Sequence, residues 1–192
     1  EEGMTMLPPF DHPHIIAGQG TLGLEIMDQV PDAQTILVPL SGGGLISGLA
    51  AAARARKPGI KIIGVSMDRG AAMHECLKAG KPIHVEEMKT LADSLGGGIG
   101  LDNQYTFPMT RDLVDETITV SEAQIAGAIR HAYWEERQII EGSGSVSIAA
   151  VLAGKAAVSG PTVCVVSGAN IDLGLHHRII SGENVDVTKP EG

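Results

Sequence analysis

Three consecutive glycines follow an apolar run in the segment VPLSGGGLISG, which covers residues 38–48. Glycines allow successive backbone N–H groups to turn toward one point, and a helix that begins just after them adds its positive end. The pattern favours a phosphate-binding loop in the segment that runs from Ser41 through Gly42, Gly43 and Gly44 to Leu45. The alternative is a tight strand-to-helix turn that binds no ligand, although such a turn needs only one glycine.

The loop alone leaves the identity of the phosphate compound open. A dinucleotide fingerprint has the pattern Gly-x-Gly-x-x-Gly, and counting from Gly42 places Ser47 where the last glycine belongs. Asp68 follows the next expected strand and would still suit a ribose hydroxyl. A nucleoside-triphosphate loop is excluded, because no Gly-Lys-Ser or Gly-Lys-Thr follows a glycine cluster.

Two further polar residues are candidates for the same site. Ser167 ends an apolar run and precedes Gly168. Because the carboxyl ends of parallel strands line one crevice, we expect Ser167 to face the glycine loop, although a plain strand terminator explains it equally well. Glu141 precedes the turn sequence GSGS, and it either faces the crevice or is a solvated acid at a helix end.

Composition favours a small-molecule ligand. The 192 residues include 14 Lys+Arg and 23 Asp+Glu, a formal net charge of -9 with no block of like charges. This balance disfavours nucleic acids and acidic membranes as partners, and no apolar run approaches the roughly 18 residues of a membrane span. Cys76 and Cys164 lie in separate apolar runs, which predicts free thiols in a cytoplasmic protein.

The elements that position these residues alternate between short apolar runs and longer helical patterns. This alternation predicts an α/β fold with an open, mostly parallel sheet covered by helices on both faces. The expected strands cover residues 35–40, 61–66, 116–120 and 162–167, and the expected helices cover residues 21–29, 44–57, 121–139 and 145–157. Ser121 and Gln124 have capping-box spacing at the start of the third helix.

Two stretches do not fit this pattern. Residues 81–115 match neither a helical nor a strand period, and a loop of this length in a compact domain is usually functional. Residues 181–192 are polar, so we expect a frayed tail there. The predicted organisation is one domain over residues 1–180 followed by that tail.

Four segments that run in family order over nearly the whole chain carry a resemblance. They are FDHPHIIAGQGT at residues 10–21, SGGGL at 41–45, DLVD at 112–115 followed by TVSE at 119–122, and VSGAN at 166–170. In these segments the chain resembles the fold-type II pyridoxal-phosphate (PLP) enzymes of the serine/threonine dehydratase and serine racemase group. The segments ADSLGGGIGLDN at 92–103 and EGSGS at 141–145 look most like hydroxyectoine-utilisation dehydratases.

The resemblance implies a cofactor, a reaction and residue roles. Residues 41–45 would hold the cofactor phosphate, Ser167 would hydrogen-bond the pyridine nitrogen, and Glu141 would lie near the ring. Family enzymes remove the β-hydroxyl of a hydroxy amino acid such as threonine or serine, and the product hydrolyses to a keto acid and ammonia. A hydroxyectoine-derived amino acid is a further candidate substrate, and the expected assembly is a homodimer. The alternative class is a non-catalytic module that binds a phosphorylated ligand or a nucleotide.

Two departures from the family pattern shape the expectations. The divalent-cation site of some relatives has acidic residues where this chain has Ser66 and Ala72, and adjacent His176 and His177 cannot chelate as an i, i+4 pair would, so we expect no metal. The family's Schiff-base lysine has no match among the seven lysines of the chain. In the family it lies before the segment that matches Phe10, so we expect a C-terminal fragment of the large domain, without a catalytic residue of its own and inactive alone.

Overall fold

A parallel four-stranded sheet forms the centre of the chain. The computed structural model describes residue 3 and residues 6–189. Its strands are β1 (Thr35–Pro39), β2 (Lys61–Met67), β3 (Glu116–Val120) and β4 (Thr162–Cys164). They are ordered β3-β2-β1-β4, and every neighbouring pair is parallel. The predicted α/β fold is confirmed. Only the last strand differs clearly, since β4 ends three residues before Ser167.

Within residues 6–189, seven helices surround this sheet. They are α1 (Pro13–Gln29), α2 (Gly44–Arg56), α3 (Ala72–Ala79), α4 (Thr106–Leu113), α5 (Glu122–Trp134), α6 (Gly142–Leu152) and α7 (Leu173–Ile180). The predicted capping box at the start of α5 is present, with Ser121 and Gln124 each bonding the other's backbone N–H. Four boundaries were wrong: α1 begins eight residues earlier, α5 ends five residues earlier, and α6 begins three residues and ends five residues earlier than the sequence indicated.

Both faces of the sheet are covered by helices, as the apolar strands predicted. Alternate strand residues point to opposite faces. Leu37 and Ile63 belong to the core beneath α5 and α6, whereas Ile36 and Ile62 belong to the core beneath α1 and α2. All four side chains are fully buried. The sheet therefore separates two apolar cores and leaves its carboxyl edge free for a site.

Helices α1 and α2 touch backbone to backbone. A Cβ atom added to Gly48 of α2 would lie 2.1 Å from the carbonyl oxygen of Ile16 in α1, and one added to Gly23 would lie 2.5 Å from that of Leu49. Any larger residue at either position would push the two helices apart. This contact fixes α1, and the segment that leads into it, relative to the start of α2.

The stretch over residues 81–115 is largely irregular, as expected, but it contains a 3₁₀ turn at Asp93–Leu95 and the helix α4. Pro108 lies in the first turn of α4, where proline is tolerated. The expectation of a frayed tail was wrong for residues 181–189, because Val185 and Val187 pack against the α5–α6 core. Residues 190–192 lie outside the described part.

Two further properties bear on function. None of the helices in the described part of the chain is long and apolar enough to cross a bilayer. Within residues 6–189 there is also no cluster of three or more His, Cys, Asp or Glu side chains placed to hold a metal ion. Cys76 and Cys164 are both free thiols, as predicted, and burial raises the pKa of the Cys164 thiol.

Candidate functional site

A cavity of about 310 Å³ opens at the carboxyl edge of the sheet. This volume falls at the lower end of the range of about 300 to 1,000 Å³ that is usual for small-molecule sites. The cavity brings together the glycine loop after β1, the segment before α1, the Asp93–Leu95 turn and the segment after β4. Its polar and loop residues are Phe10, Gln19, Ser41, Gly42, Gly43, Gly44, Leu45, Ser94 and Ser167.

The glycine loop presents unpaired backbone donors. The first N–H groups of a helix have no intrahelical acceptor. Within the described part of the chain, no carbonyl or side chain accepts a hydrogen bond from the N–H groups of Gly42, Gly43 or Gly44. The positive end of α2 lies at the same place. These donors suit an anion.

The three glycines also have a packing role that the sequence did not reveal. A Cβ on Gly42 would lie 2.4 Å from the ring of Phe10, and a Cβ on Gly44 would lie 3.0 Å from Phe10 Cβ. Gly43 has φ +90°, and its Cβ would lie 2.8 Å from Met73 Cε. Contacts with the protein therefore require small residues at all three positions, so the glycine triplet by itself does not prove a ligand.

A second wall of the cavity is the Asp93–Leu95 turn, and Glu122 holds the chain that leads into it. One carboxylate oxygen of Glu122 accepts the Thr90 hydroxyl at 2.5 Å, and the other accepts the Leu91 N–H at 2.7 Å. The Thr90 hydroxyl oxygen in turn accepts the Ala92 N–H at 3.1 Å. Glu122, at the start of α5, thus orients a loop about 30 residues earlier in the chain. The motif TVSE did not predict this contact.

The structure brings Ser167 into the lining of the cavity that holds the glycine loop, but it does not place Glu141 there. The Ser167 side chain is exposed, and Gly168 next to it packs on the start of α6. The Glu141 carboxylate accepts the N–H of Asn170 at 2.9 Å, and the Glu141 N–H donates to the Gly168 carbonyl at 3.2 Å. Glu141 therefore holds the loop that carries Ser167.

Glu141 lines a neighbouring cavity of about 640 Å³. The two cavities lie on either side of the Asp93–Leu95 turn, since Asp93 lines the larger one and Ser94 and Leu95 line the smaller. Lys89 also lines the larger cavity. The sequence left open whether Glu141 faces the crevice or is a solvated acid at a helix end. In the structure it directly precedes α6, its side chain is half-buried, and its carboxylate accepts the Asn170 N–H.

None of the seven lysines, all of which lie in the described part of the chain, lines the cavity that holds the glycine loop. Five of them are engaged elsewhere: Lys57 and Lys155 donate to the carbonyls of Ala33 and Thr119, and Lys61, Lys78 and Lys189 pair with Glu116, Glu75 and Asp186. The cavity thus offers hydrogen-bond donors for an anion, and hydroxyl groups, but no lysine amine.

A family model described as "Pyridoxal-phosphate dependent enzyme" matches residues 1–168. The chain belongs to this family. The resemblance that its four segments indicated is confirmed, and the cofactor of the family is pyridoxal phosphate.

Similar proteins narrow the group within the PLP enzymes. The chain is 59% identical over 183 residues to a protein of Sinorhizobium fredii named "Putative threonine dehydratase", covering 95% of this chain and 55% of that protein. It is 44% identical to an L-threonine ammonia-lyase of Geobacter sulfurreducens, covering 90% of this chain and 43% of the relative. The structure of maize serine racemase matches with a TM-score of 0.84 and 36% identity, covering 93% of this chain and 55% of that one.

The chain therefore spans about half the length of the curated relatives it matches. Its residues fit the phosphate end of the PLP cofactor, because unpaired N–H groups and a helix start converge on one cavity. They also supply a hydroxyl, that of Ser167, in the lining of the same cavity. What they do not supply there is a lysine.

Proposed function

We propose that this chain is the C-terminal part of the large domain of a PLP-dependent dehydratase that acts on a hydroxy amino acid. The reaction removes the β-hydroxyl and the α-proton, and the product hydrolyses to a keto acid and ammonia. Threonine and serine are the first candidate substrates. A hydroxyectoine-derived amino acid is the next, on the resemblance of the segments at 92–103 and 141–145.

One observation carries this proposal. The glycine loop and Ser167, which are 122 positions or more apart in the sequence, line the same cavity at the carboxyl edge of a parallel sheet. A set of phosphate donors and a hydroxyl in the lining of one cavity supply partners for the phosphate and for the ring nitrogen of a phosphorylated pyridine. The names of the relatives, a threonine dehydratase and a threonine ammonia-lyase, support the same reaction class.

Each cavity residue has a defined task in this proposal. When bound, the cofactor serves as the electron sink that makes the α-proton of the substrate acidic. The N–H groups of Gly42, Gly43 and Gly44 bind its phosphate, and the α2 dipole favours the dianion. Ser167 donates its hydroxyl hydrogen to the ring nitrogen. Glu141 orients the loop of Ser167 through the Asn170 N–H.

The lysine that removes the α-proton belongs, in this proposal, to a segment outside these 192 residues. Two findings support this assignment: no lysine lines the cavity, and the chain covers 55% of the Sinorhizobium relative. The small-molecule substrate would enter on the side where that segment completes the cavity. The proposal also includes a cytoplasmic homodimer, for which the two free thiols are the supporting observation on location.

The alternative, a non-catalytic module that binds a phosphorylated ligand, has less support. It would use the same glycine loop, but it gives no reason for Ser167 to line the same cavity. Membership in a family of PLP enzymes also favours catalysis.

A chimera tests the proposal. The part of the Sinorhizobium relative that this chain does not match is joined to residues 1–192 as one polypeptide, which makes activity independent of association between two pieces. With PLP and L-threonine, we expect ammonia and the keto acid to form at equal rates. L-Serine and hydroxyectoine-derived amino acids are the comparison substrates.

Two controls make the chimera informative. The first is the same chimera with the cofactor-binding lysine of its first part replaced by alanine, which should bind PLP reversibly and form no keto acid. The second is the 192-residue chain alone, which should form none either. A chimera that folds and binds PLP but releases ammonia from none of these substrates would contradict the proposed reaction.

A further inference from the structure

The carboxylate of Asp11 accepts three backbone hydrogen bonds from a distant part of the chain. Its Oδ2 accepts the Gln104 N–H at 2.7 Å, and its Oδ1 accepts the N–H groups of Tyr105 and Thr106, both at 2.8 Å. These donors lie at the start of α4, more than 90 positions further along the chain. Asp11 therefore joins the segment before α1 to the start of α4.

The residue before Asp11 lies against the glycine loop. The ring of Phe10 occupies the space where a Cβ of Gly42 would be, and Phe10 Cβ is close to Gly44. Phe10 also lines the cavity. Any movement of the backbone at Asp11 must therefore move the side chain that supports one side of the loop.

Helix α4 supports the other side of the same loop. A Cβ on Gly43 would lie 2.9 Å from Thr110 Oγ1 and 3.1 Å from Thr106 Cβ. Both threonines are almost completely buried, and the Ser47 hydroxyl lies 3.4 Å from Thr110 Oγ1. The glycine loop is thus held between Phe10 and α4, and Asp11 connects these two supports.

The charge of Asp11 suits this connection. Partial burial is the largest effect on its carboxyl and acts to raise the pKa, but the hydrogen bonds from Gln104, Thr106 and Tyr105 together outweigh it, so the pKa of Asp11 lies below its ordinary value. The carboxylate also faces the positive end of α4. An asparagine would keep the size but would replace one acceptor oxygen by an NH₂ group, which repels a backbone donor.

We propose that Asp11 is a positioning residue: it fixes Phe10 and α4 on either side of the glycine loop and so holds the loop N–H groups in the arrangement that binds phosphate. This role rests on the proposed phosphate site of residues 41–45. It assigns Asp11 no contact with the ligand, since Asp11 does not line the cavity.

The test is Asp11→Asn in the 192-residue chain, with Asp102→Asn as the matched control. Asp102 is an exposed aspartate in the same region as the donors, and its carboxylate makes no hydrogen bond within the described part of the chain. The probes are inorganic phosphate and PLP, titrated by calorimetry. A second measurement, which needs no ligand, is the set of backbone amide chemical shifts of Gly42, Gly43 and Gly44 by NMR, which report the conformation of the loop.

We expect Asp11→Asn to weaken binding of both probes at least tenfold and to change the chemical shifts of the loop amides, while Asp102→Asn changes neither. A variant that is less stable to urea but keeps wild-type affinity and wild-type loop chemical shifts would overturn the proposal, because Asp11 would then only cap α4. If Asp11→Asn does not fold, Asp11→Ser, which keeps a neutral acceptor, replaces it in both measurements.

The outcomes also separate this proposal from the proposed function. A wild-type chain that binds neither phosphate nor PLP would overturn the phosphate site and, with it, the ligand role of the loop. Loop chemical shifts that are equal in wild type and Asp11→Asn would overturn the positioning role even if wild type binds both probes.

Discussion

Gly142 lies so close to Leu91 that a Cβ atom on it would be 1.9 Å from the Leu91 carbonyl oxygen. Gly142 is the first residue of α6, and Leu91 leads into the Asp93–Leu95 turn that forms one wall of the cavity. The start of α6 therefore sets how near this wall can come to the loop that carries Ser167.

This contact predicts a loss of stability for Gly142→Ala. The added methyl group must displace backbone atoms, which typically costs about 1–3 kcal/mol. Gly127→Ala is the matched control, since Gly127 lies in α5 with open space at its Cβ, and it should raise stability by about 0.5–1 kcal/mol. Urea unfolding of both variants measures the two effects. Equal stability of the two variants would contradict the close approach.

Ser41 offers a clean test of phosphate binding, whereas Gly43 does not. An aspartate at Gly43 would be strained by φ +90° and by Met73, so a loss of binding there would have two explanations. Ser41→Asp adds a negative charge beside the proposed phosphate without that strain, and we expect binding of inorganic phosphate and PLP to be lost. Ser41→Asn, of the same size and neutral, should bind within about threefold of wild type. Calorimetric titration distinguishes the two, and unchanged affinity in Ser41→Asp would move the phosphate site elsewhere.

Ser167 should decide how strongly the cofactor ring withdraws electrons. In the chimera, Ser167→Ala should weaken PLP retention by about 1–3 kcal/mol, which is the cost of losing a buried hydrogen-bond partner. Ser167→Asp should keep the ring nitrogen protonated and reduce elimination, since a stronger sink holds negative charge in the ring instead of expelling the β-hydroxyl. Keto-acid formation and PLP dissociation measure the two effects. Wild-type values in both variants would show that Ser167 only ends a strand.

The lysines give a prediction for the chain alone. Incubation with PLP and reduction with borohydride should leave no single lysine fully modified, because none lines the cavity of the glycine loop. Peptide mapping by mass spectrometry reads the modified positions. Lys89 is the position to watch, since it shares a cavity with Glu141. One stoichiometric pyridoxyl-lysine anywhere in these 192 residues would contradict the proposal that the lysine lies outside them.

His176 predicts a sensitivity to acid. Its side chain is 4% exposed, its Nε2 has no hydrogen-bond partner in the described part of the chain, and its ring packs edge-on against Tyr133. Burial, and then the neighbouring His177, lower the pKa of His176 from its ordinary value of 6.5. The unfolded chain therefore binds a proton at a higher pH than the folded chain does, and stability falls as pH drops below about 6.5.

Replacement of His176 by phenylalanine should reduce this acid-dependent loss while keeping the ring contact. The measurement is the free energy of unfolding in urea at pH 7.5 and at pH 5.5. His84→Gln, at an exposed histidine, should keep the wild-type difference between the two pH values. An undiminished difference in His176→Phe would assign the acid sensitivity to other groups.

The sequence predicted those parts of the fold that depend on local pattern. Strands β1 and β2 were found because they are buried on both faces and read as continuous apolar runs, whereas β3, with the sequence ETITV, is an edge strand that is only partly buried. Helices α3 and α7, of eight residues each, are too short for a clear period. For α7 a signal was present, since Asp172 accepts the Leu175 N–H as a helix cap.

The site was predictable only in part, for a related reason. The carboxyl ends of parallel strands lie at one edge of a sheet, and this rule predicted that Ser167 lies near the glycine loop, because both follow strand ends. Phe10, Asp11 and Glu122 act through contacts between segments about 30 to 95 positions apart, and no local pattern marks such pairs. The position of Glu141 in the neighbouring cavity likewise depends on the path of residues 81–105, whose sequence has no regular period.

The pairing of β4 with β1 has a consequence for how the chain reaches its native state. Thr35 of β1 lies opposite Thr162 of β4, 127 positions later in the chain. Contacts between such distant segments carry a high loop-closure entropy and tend to slow folding. The hydroxyl of Ser167 reaches the glycine loop only once this contact has formed. A ligand that contacts both the glycine loop and Ser167 would bind only the native fold. Added PLP should therefore raise the refolding yield by mass action without accelerating the folding steps that precede the pairing of β4 with β1.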